Sequence, residues 1–161
     1  MPLLILSGVE QYAALFQVSR SLKLHASLKE MLSALPGQIG QLLQFDYLSV
    51  HSFAKWLVSD GNSQGALSPV TDEPAESALS AWVMEHQQPV LAGIGEPVEP
   101  PEALDALTKL EMSSVCTIPL TAHGRRVGSL TLASRRANAY SRTDLEMLLL
   151  LGDQMASHFA L

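Results

Sequence analysis

The chain has 161 residues, 47% hydrophobic and 16% charged, a balance that suits one folded domain with a sizeable core and excludes a disordered chain. Its formal net charge is −6, and no chain-wide basic patch exists, so direct contact with nucleic acid by this domain is not expected. The single cysteine excludes an internal disulfide, a dithiol pair and a cysteine-cluster zinc site, and fits a reducing, cytoplasmic setting.

In chain order, Met1 to Leu6 is apolar but short and without a basic flank, so no signal peptide is expected. Ser7-Gly8-Val9-Glu10 has the form of a capping box and predicts a helix to about Leu24. Its apolar residues form two stripes, Val9, Tyr12, Ala13 and Phe16 on one side and Leu15, Val18 and Leu22 on another. One buried face needs only one stripe, so the second predicts wider burial or a partner helix.

Ser27-Leu28-Lys29-Glu30 is a second capping box, followed by Leu28, Met31, Leu32, Leu35 and Ile39 at helical spacing. Pro36-Gly37 inside this pattern predicts a kink or a break. Tyr47 to Phe53 reads as a strand, with Leu48 and Val50 on one face and Ser49 and His51 on the other. Trp56 to Val58 reads as a short second strand, and Ser59 to Pro69 as an exposed loop. Asp72 or Glu73 is expected to cap a helix with Pro74 in its first turn and Ala75, Leu79, Trp82 and Val83 on its apolar face. Val90-Leu91 is a short strand, Ala92 to Pro101 a loop and Glu102 to Leu110 a short helix.

Ser113 to Ser134 is the most informative stretch: two strands around a polar turn containing Gly124. Cys116, Ile118 and Leu120 share a parity, as do Gly128, Leu130 and Leu132, so one face is apolar and should bury against helices. The opposite parity carries Thr117, Ser129 and Thr131. Together with Ser49 and His51 these form a polar sheet face. Its hydroxyls either satisfy backbone and water or line a small-molecule cavity roofed by the helices Ala75–Glu85 and Glu102–Leu110. Ser141, with Asp144 three residues on, caps a last helix that runs to the chain end.

On that last helix Leu145, Leu148, Leu149, Gly152, Met155, Ala156 and Phe159 share the side expected to meet the sheet. Met147, Leu150 and Leu151 fall on a second side. With Leu15, Val18 and Leu22 they form a patch expected to be the interface of a parallel homodimer. The longest uninterrupted apolar run, Met147 to Leu151, is far short of the ~20 residues that span a bilayer, so no membrane partner is expected.

Charge is unevenly distributed. Trp56 to Glu111 contains ten acids and one base, Lys109, whereas Met112 to Thr143 contains five arginines and no acid. Either both blocks are solvated surface, or the acidic block lies over the polar sheet face and disfavours anionic ligands there. No phosphate loop, metal-spaced histidine set or nucleophile–base pair is found, so no catalysis and no cofactor are expected. Cys116, mid-strand on the apolar face, is expected to be buried and slow to react.

Ile118-Pro119-Leu120, Gly124 and Val127-Gly128-Ser129-Leu130 resemble the central hairpin of GAF domains. Tyr140-Ser141-Arg142-Thr143-Asp144-Leu145 resembles the start of their C-terminal helix, and Ala81-Trp82-Val83 with Gln87-Gln88-Pro89-Val90 their middle helix and the strand after it. The resemblance covers about residues 8 to 161 and reads as a single domain, a piece of a larger regulatory protein. It implies an α+β, PAS-like fold with a central antiparallel sheet, terminal helices on one face and two middle helices over a possible pocket on the other. It is nearest to sensory GAF domains of bacterial transcriptional regulators of the formate-hydrogenlyase-activator type, which implies a small-molecule sensor controlling an attached output module. The alternative is a module that binds no ligand and dimerises. The cyclic-nucleotide pattern of some GAF domains is largely absent, its nearest equivalents being Ser134-Arg135, Tyr140 and Asp144-Leu145. One cysteine, placed mid-strand, fits neither the bilin-linking nor the sulfoxide-reducing members.

Overall fold

The structure is a computed structural model, and it describes residues 13–15, 17, 28–52, 55–59, 67–95 and 99–159. Among these, four helices and six strands follow in the order α1 (Leu28–Gly40), β1 (Tyr47–Ser52), β2 (Lys55–Ser59), β3 (Ser68–Val70), α2 (Ser77–His86), β4 (Val90–Gly93), α3 (Pro101–Leu110), β5 (Ser114–Ala122), β6 (Arg125–Ser134) and α4 (Arg142–Phe159). Ala13–Leu15 and Gln17 are helical as well. The first capping box, Val18, Leu22 and the turn residues Asp60 to Asn62 lie outside the described residues.

The strands form one antiparallel sheet in the order β3-β2-β1-β6-β5-β4. The β5–β6 hairpin lies in its interior, with β1 beside β6 and β4 beside β5. The alternation of β-branched and small residues sorts the two faces as the period of a strand requires. Cys116, Ile118, Leu120, Leu130 and Leu132 join Leu48 and Val50 in a core shared with α1 and α4. Val115 and Ala133 face the other way and join Leu79, Val83, Ala103, Ala106 and Leu107 of α2 and α3 in a second core. Gly128 sits where β1 and β6 approach closely, and a Cβ there would fall 1.9 Å from the His51 carbonyl oxygen.

Four local expectations are revised. The expected loop Ser59–Pro69 instead contributes Ser59 to β2 and Ser68–Pro69 to the edge strand β3, where Pro69 is tolerated because an edge strand leaves one side of its backbone unpaired. Helix α1 runs through Pro36, so of the expected kink or break the break does not occur. Met31, Leu35 and Ile39 are fully buried on both sides of the proline, which offsets its helix-interior cost of about 3 kcal/mol. Neither Asp72 nor Glu73 caps α2: the helix begins at Ser77, with Glu76 in the cap position and no side-chain cap bond.

The fourth revision concerns α4. Leu145, Leu148, Gly152, Met155, Ala156 and Phe159 are buried as the spacing predicts, and Gly152 lets the helix approach Ile118 and Leu120 of β5. Met147 and Leu151, expected at a dimer interface, are 6% and 0% exposed within the single chain. The helix packs both on the sheet and against α1, and so buries a wider arc than one sheet-facing stripe. Leu15 is also in this core, and Leu150, 53% exposed, alone remains outward among the described residues of that predicted patch.

Candidate functional site

The register of β1, β6 and β5 assembles the five predicted polar residues. Ser49, Thr131 and Thr117 form one row across the three strands, and His51 and Ser129 form the next. Ser49, Thr117, Ser129 and Thr131 are each at most 1% exposed. Such burial requires partners for the hydroxyls, and they have them. Thr117 Oγ1 and Thr131 Oγ1 share a hydrogen bond at 3.0 Å, and Ser129 pairs with Ser80 from the inward side of α2. His51 is only half-buried. It stacks on Trp56, its cross-strand neighbour, with ring centroids 4.1 Å apart, and its Nδ1 has no hydrogen-bond partner. Burial pushes its pKa down, and the nearby Glu73 carboxylate opposes this.

Ser49 leads to a residue the sequence reading missed. Its hydroxyl donates to Glu76 Oε1 at 2.8 Å, and the Tyr47 hydroxyl donates to the same oxygen at 2.8 Å. Glu76 is 0% exposed, and its second oxygen, Oε2, has no hydrogen-bond partner. Burial raises the Glu76 pKa above the ordinary carboxylate range, opposed by the bonds from Tyr47 and Ser49. Burial, followed by the Glu76 charge, raises the Tyr47 hydroxyl as well. In the sequence Glu76 reads as one more acid in the first turn of a helix, where carboxylates are common for reasons of the helix dipole. Only the placement of α2 on the sheet turns it inward.

Among the described residues, three cavities border this region and its edges, and Ser49, His51, Thr117, Ser129 and Thr131 line none of these three. One, of about 560 Å³, lies beside Tyr47 and Val58, the latter paired with Ser49, and is walled by Pro69, Val70, Thr71, Asp72, Pro74, Ala75 and Leu110. Another, of about 580 Å³, opens on the terminal-helix side between Leu28, Leu32, Val50, Trp56 and Phe159. The third, of about 790 Å³, follows the β4 edge between Trp82, Val90, Glu99 and Arg142.

Residues at the nearest equivalents of the cyclic-nucleotide pattern hold the fold. The Arg135 amide donates to Asp46, the Tyr140 hydroxyl to the Gln44 carbonyl, and Ser141 and Asp144 form the predicted capping box. Cys116 is 1% exposed, on the face away from the polar row. Burial, then the Asp144 charge, pushes its thiol up to about 12. Among the described residues no group of three or more His, Cys, Asp or Glu could hold a metal ion, and no helix is long and apolar enough to cross a membrane.

An antiparallel sheet with the chain-end helices on one face and a two-helix roof over a polar row on the other defines an α+β module of the PAS-like kind. The chain belongs to the GAF domain family, whose profile matches residues 25–160. Solved structures agree on the fold. The chain is similar to the GAF domain of an Acinetobacter phosphoenolpyruvate-protein phosphotransferase, with 15% identity over 96% of this chain and 95% of that one and a TM-score of 0.70. It is also similar to the free methionine-R-sulfoxide reductase of Neisseria meningitidis in complex with its substrate, with 16% identity over 99% and 96% and a TM-score of 0.68. A phycocyanobilin-bound GAF domain from a cyanobacterial phytochrome gives 16% identity, 96% coverage of both chains and a TM-score of 0.66. No curated protein matches the sequence.

Proposed function

We propose that this chain is a small-molecule-sensing regulatory domain that controls an attached output module in bacterial signalling or transcription, acting in the cytosol as a homodimer. The observation that carries this reading is the buried polar row under α2, ending in the Glu76 carboxyl, whose partner Tyr47 lines a cavity of about 560 Å³. A row built only for packing would be apolar, since buried polar groups cost stability unless each is bonded. Similar folds hold a bilin or a substrate, which supports the reading without naming a ligand. The resemblance of the hairpin and last helix to formate-hydrogenlyase-activator-type sensors supports the transcriptional setting.

Mechanistically, a ligand entering from the cavity exchanges the Ser80–Ser129 and Ser49–Glu76 bonds for bonds to itself. It thereby selects a state in which α2 stands further from the sheet. The shift passes through the hairpin to α4, which packs on the opposite face of β5. No catalytic role is assigned: the Thr117 and Thr131 hydroxyls bond each other, those of Ser80 and Ser129 likewise, and the thiol lies on the other face. A ligand-free dimerisation module is the second reading, and the closure of Ser49, Thr117, Ser129 and Thr131 to 1% exposure or less favours it. Native mass spectrometry of protein purified from its own cells separates the two. The sensor reading expects a retained small molecule above the mass of the chain. A bare chain under conditions that preserve the fold favours the second reading.

A further inference from the structure

Strand alternation puts one polar pair on the otherwise apolar, terminal-helix face of the sheet. In the β1–β2 ladder Val50 lies opposite Leu57, and Ser52 lies opposite Lys55. Residues directly opposite share a face, and so do residues two apart along one strand. All four therefore face the terminal helices, where Val50 belongs to the core and Leu57 packs against it. All four also line the cavity of about 580 Å³. Leu28 and Leu32 of α1, Phe159 at the end of α4, and Trp56 and Val70 make the rest of its lining mainly apolar.

The lining also selects the sign of a ligand. Lys55 is the one charged residue among the described residues that line this cavity, and it is exposed. It forms no ion pair with any described residue. A lysine can lay its carbon stem along an apolar wall while its ammonium stays in water at the opening. The cavity beside Tyr47 shares Pro69, Val70 and Thr71 with this one but carries Asp72 in place of a cation, so the two differ in sign. An apolar cavity of this size with few polar groups is the ordinary form of a small-molecule site. One unpaired cation matches one negative charge, as a carboxylate has, whereas a phosphate monoester brings about two. We infer that this cavity binds a monocarboxylate with an unbranched hydrocarbon tail. The tail lies among Leu28, Leu32, Leu57 and Phe159, and the carboxylate meets Lys55 Nζ. The site is on the opposite face of the sheet from the buried polar row and does not depend on the sensor reading of that row.

The test titrates sodium octanoate, n-octanol and n-octylammonium chloride separately into ¹⁵N-labelled protein, followed by amide shifts. The expected result is saturable shifts at Leu32, Ser52 and Leu57, tightest with octanoate, weaker with octanol and weakest with octylammonium. Lys55→Met keeps an apolar stem and removes the charge at an exposed position. It is expected to weaken octanoate binding about fivefold and to leave octanol binding unchanged. Should Lys55→Met fail to fold, the comparison of the three compounds on the unaltered chain decides alone. Octylammonium binding as tight as octanoate, no saturable shift at millimolar octanoate, shifts confined to Tyr47 and Ala75, or undiminished octanoate binding in folded Lys55→Met overturns the inference. Each of these results leaves the sensor reading intact, because that reading concerns a ligand under α2.

Discussion

At the scale of single residues, Glu76 decides most. Its folded pKa is raised by burial, so at pH values between the unfolded pKa and the folded one the folded chain holds a proton that the unfolded chain has released. For a carboxyl shifted upward, stability is fully present below the unfolded value and is lost as pH rises from there through the folded value. Glu76→Gln removes this term because the amide does not titrate. The variant is therefore expected to lose less stability than the unaltered chain between pH 4.5 and neutrality, as measured by urea denaturation at a series of pH values. Cys116 behaves in the opposite functional sense. A thiol pushed up to about 12 is thiolate at roughly one part in 100,000 at pH 7, and it is buried, so labelling by a thiol reagent is expected to proceed at the rate of unfolding. Stoichiometric labelling in seconds would contradict this. Cys116 was readable from its strand parity alone. Glu76 was not, because its burial comes from where α2 lands on the sheet, a tertiary fact that no local spacing encodes.

At the scale of elements, the hairpin shows how far alternation carries. The period of two placed Thr117, Ser129 and Thr131 on one face and Ile118, Leu130 and Leu132 on the other, and the β1–β6 register adds Ser49 and His51 to the polar side. Alternation does not report how tightly a roof closes. Thr131 is 1% exposed and bonded to Thr117, so Thr131→Leu is expected to cost about 1–3 kcal/mol by overpacking and by stranding the Thr117 hydroxyl, readable as a lower denaturation midpoint. The last helix shows the converse. Its 3.6-residue spacing located the sheet-facing side, but a helix that packs on a sheet and against α1 buries Met147 and Leu151 as well. Leu151→Glu is accordingly expected to unfold the chain, since it places a charge in the core. Leu150→Glu is expected to change stability by no more than about 0.5 kcal/mol while shifting a homodimer toward monomer in sedimentation velocity. Retention of the dimer in Leu150→Glu would exclude α4 as its interface.

At the scale of the whole molecule, the terminal-helix core and the α2–α3 core share one sheet. Under the proposed sensor reading, a change in the roof on one face would reach α4 on the other through β5 and β6. The fold class was readable from the order of elements and the paired polar and apolar parities. The closed state of the polar face, the edge strand β3 and the inward carboxylate depend on long-range packing and emerged only in the structure. The central claim is that a small molecule sits beneath α2. Amide hydrogen exchange, compared between protein as purified from its own cells and the same protein stripped of small molecules, tests it most directly. The account predicts slower exchange in the loaded protein across Ser77–His86 and Tyr47–Ser52. Identical exchange in those two segments, with a retained molecule shown to be lost on stripping, would contradict it.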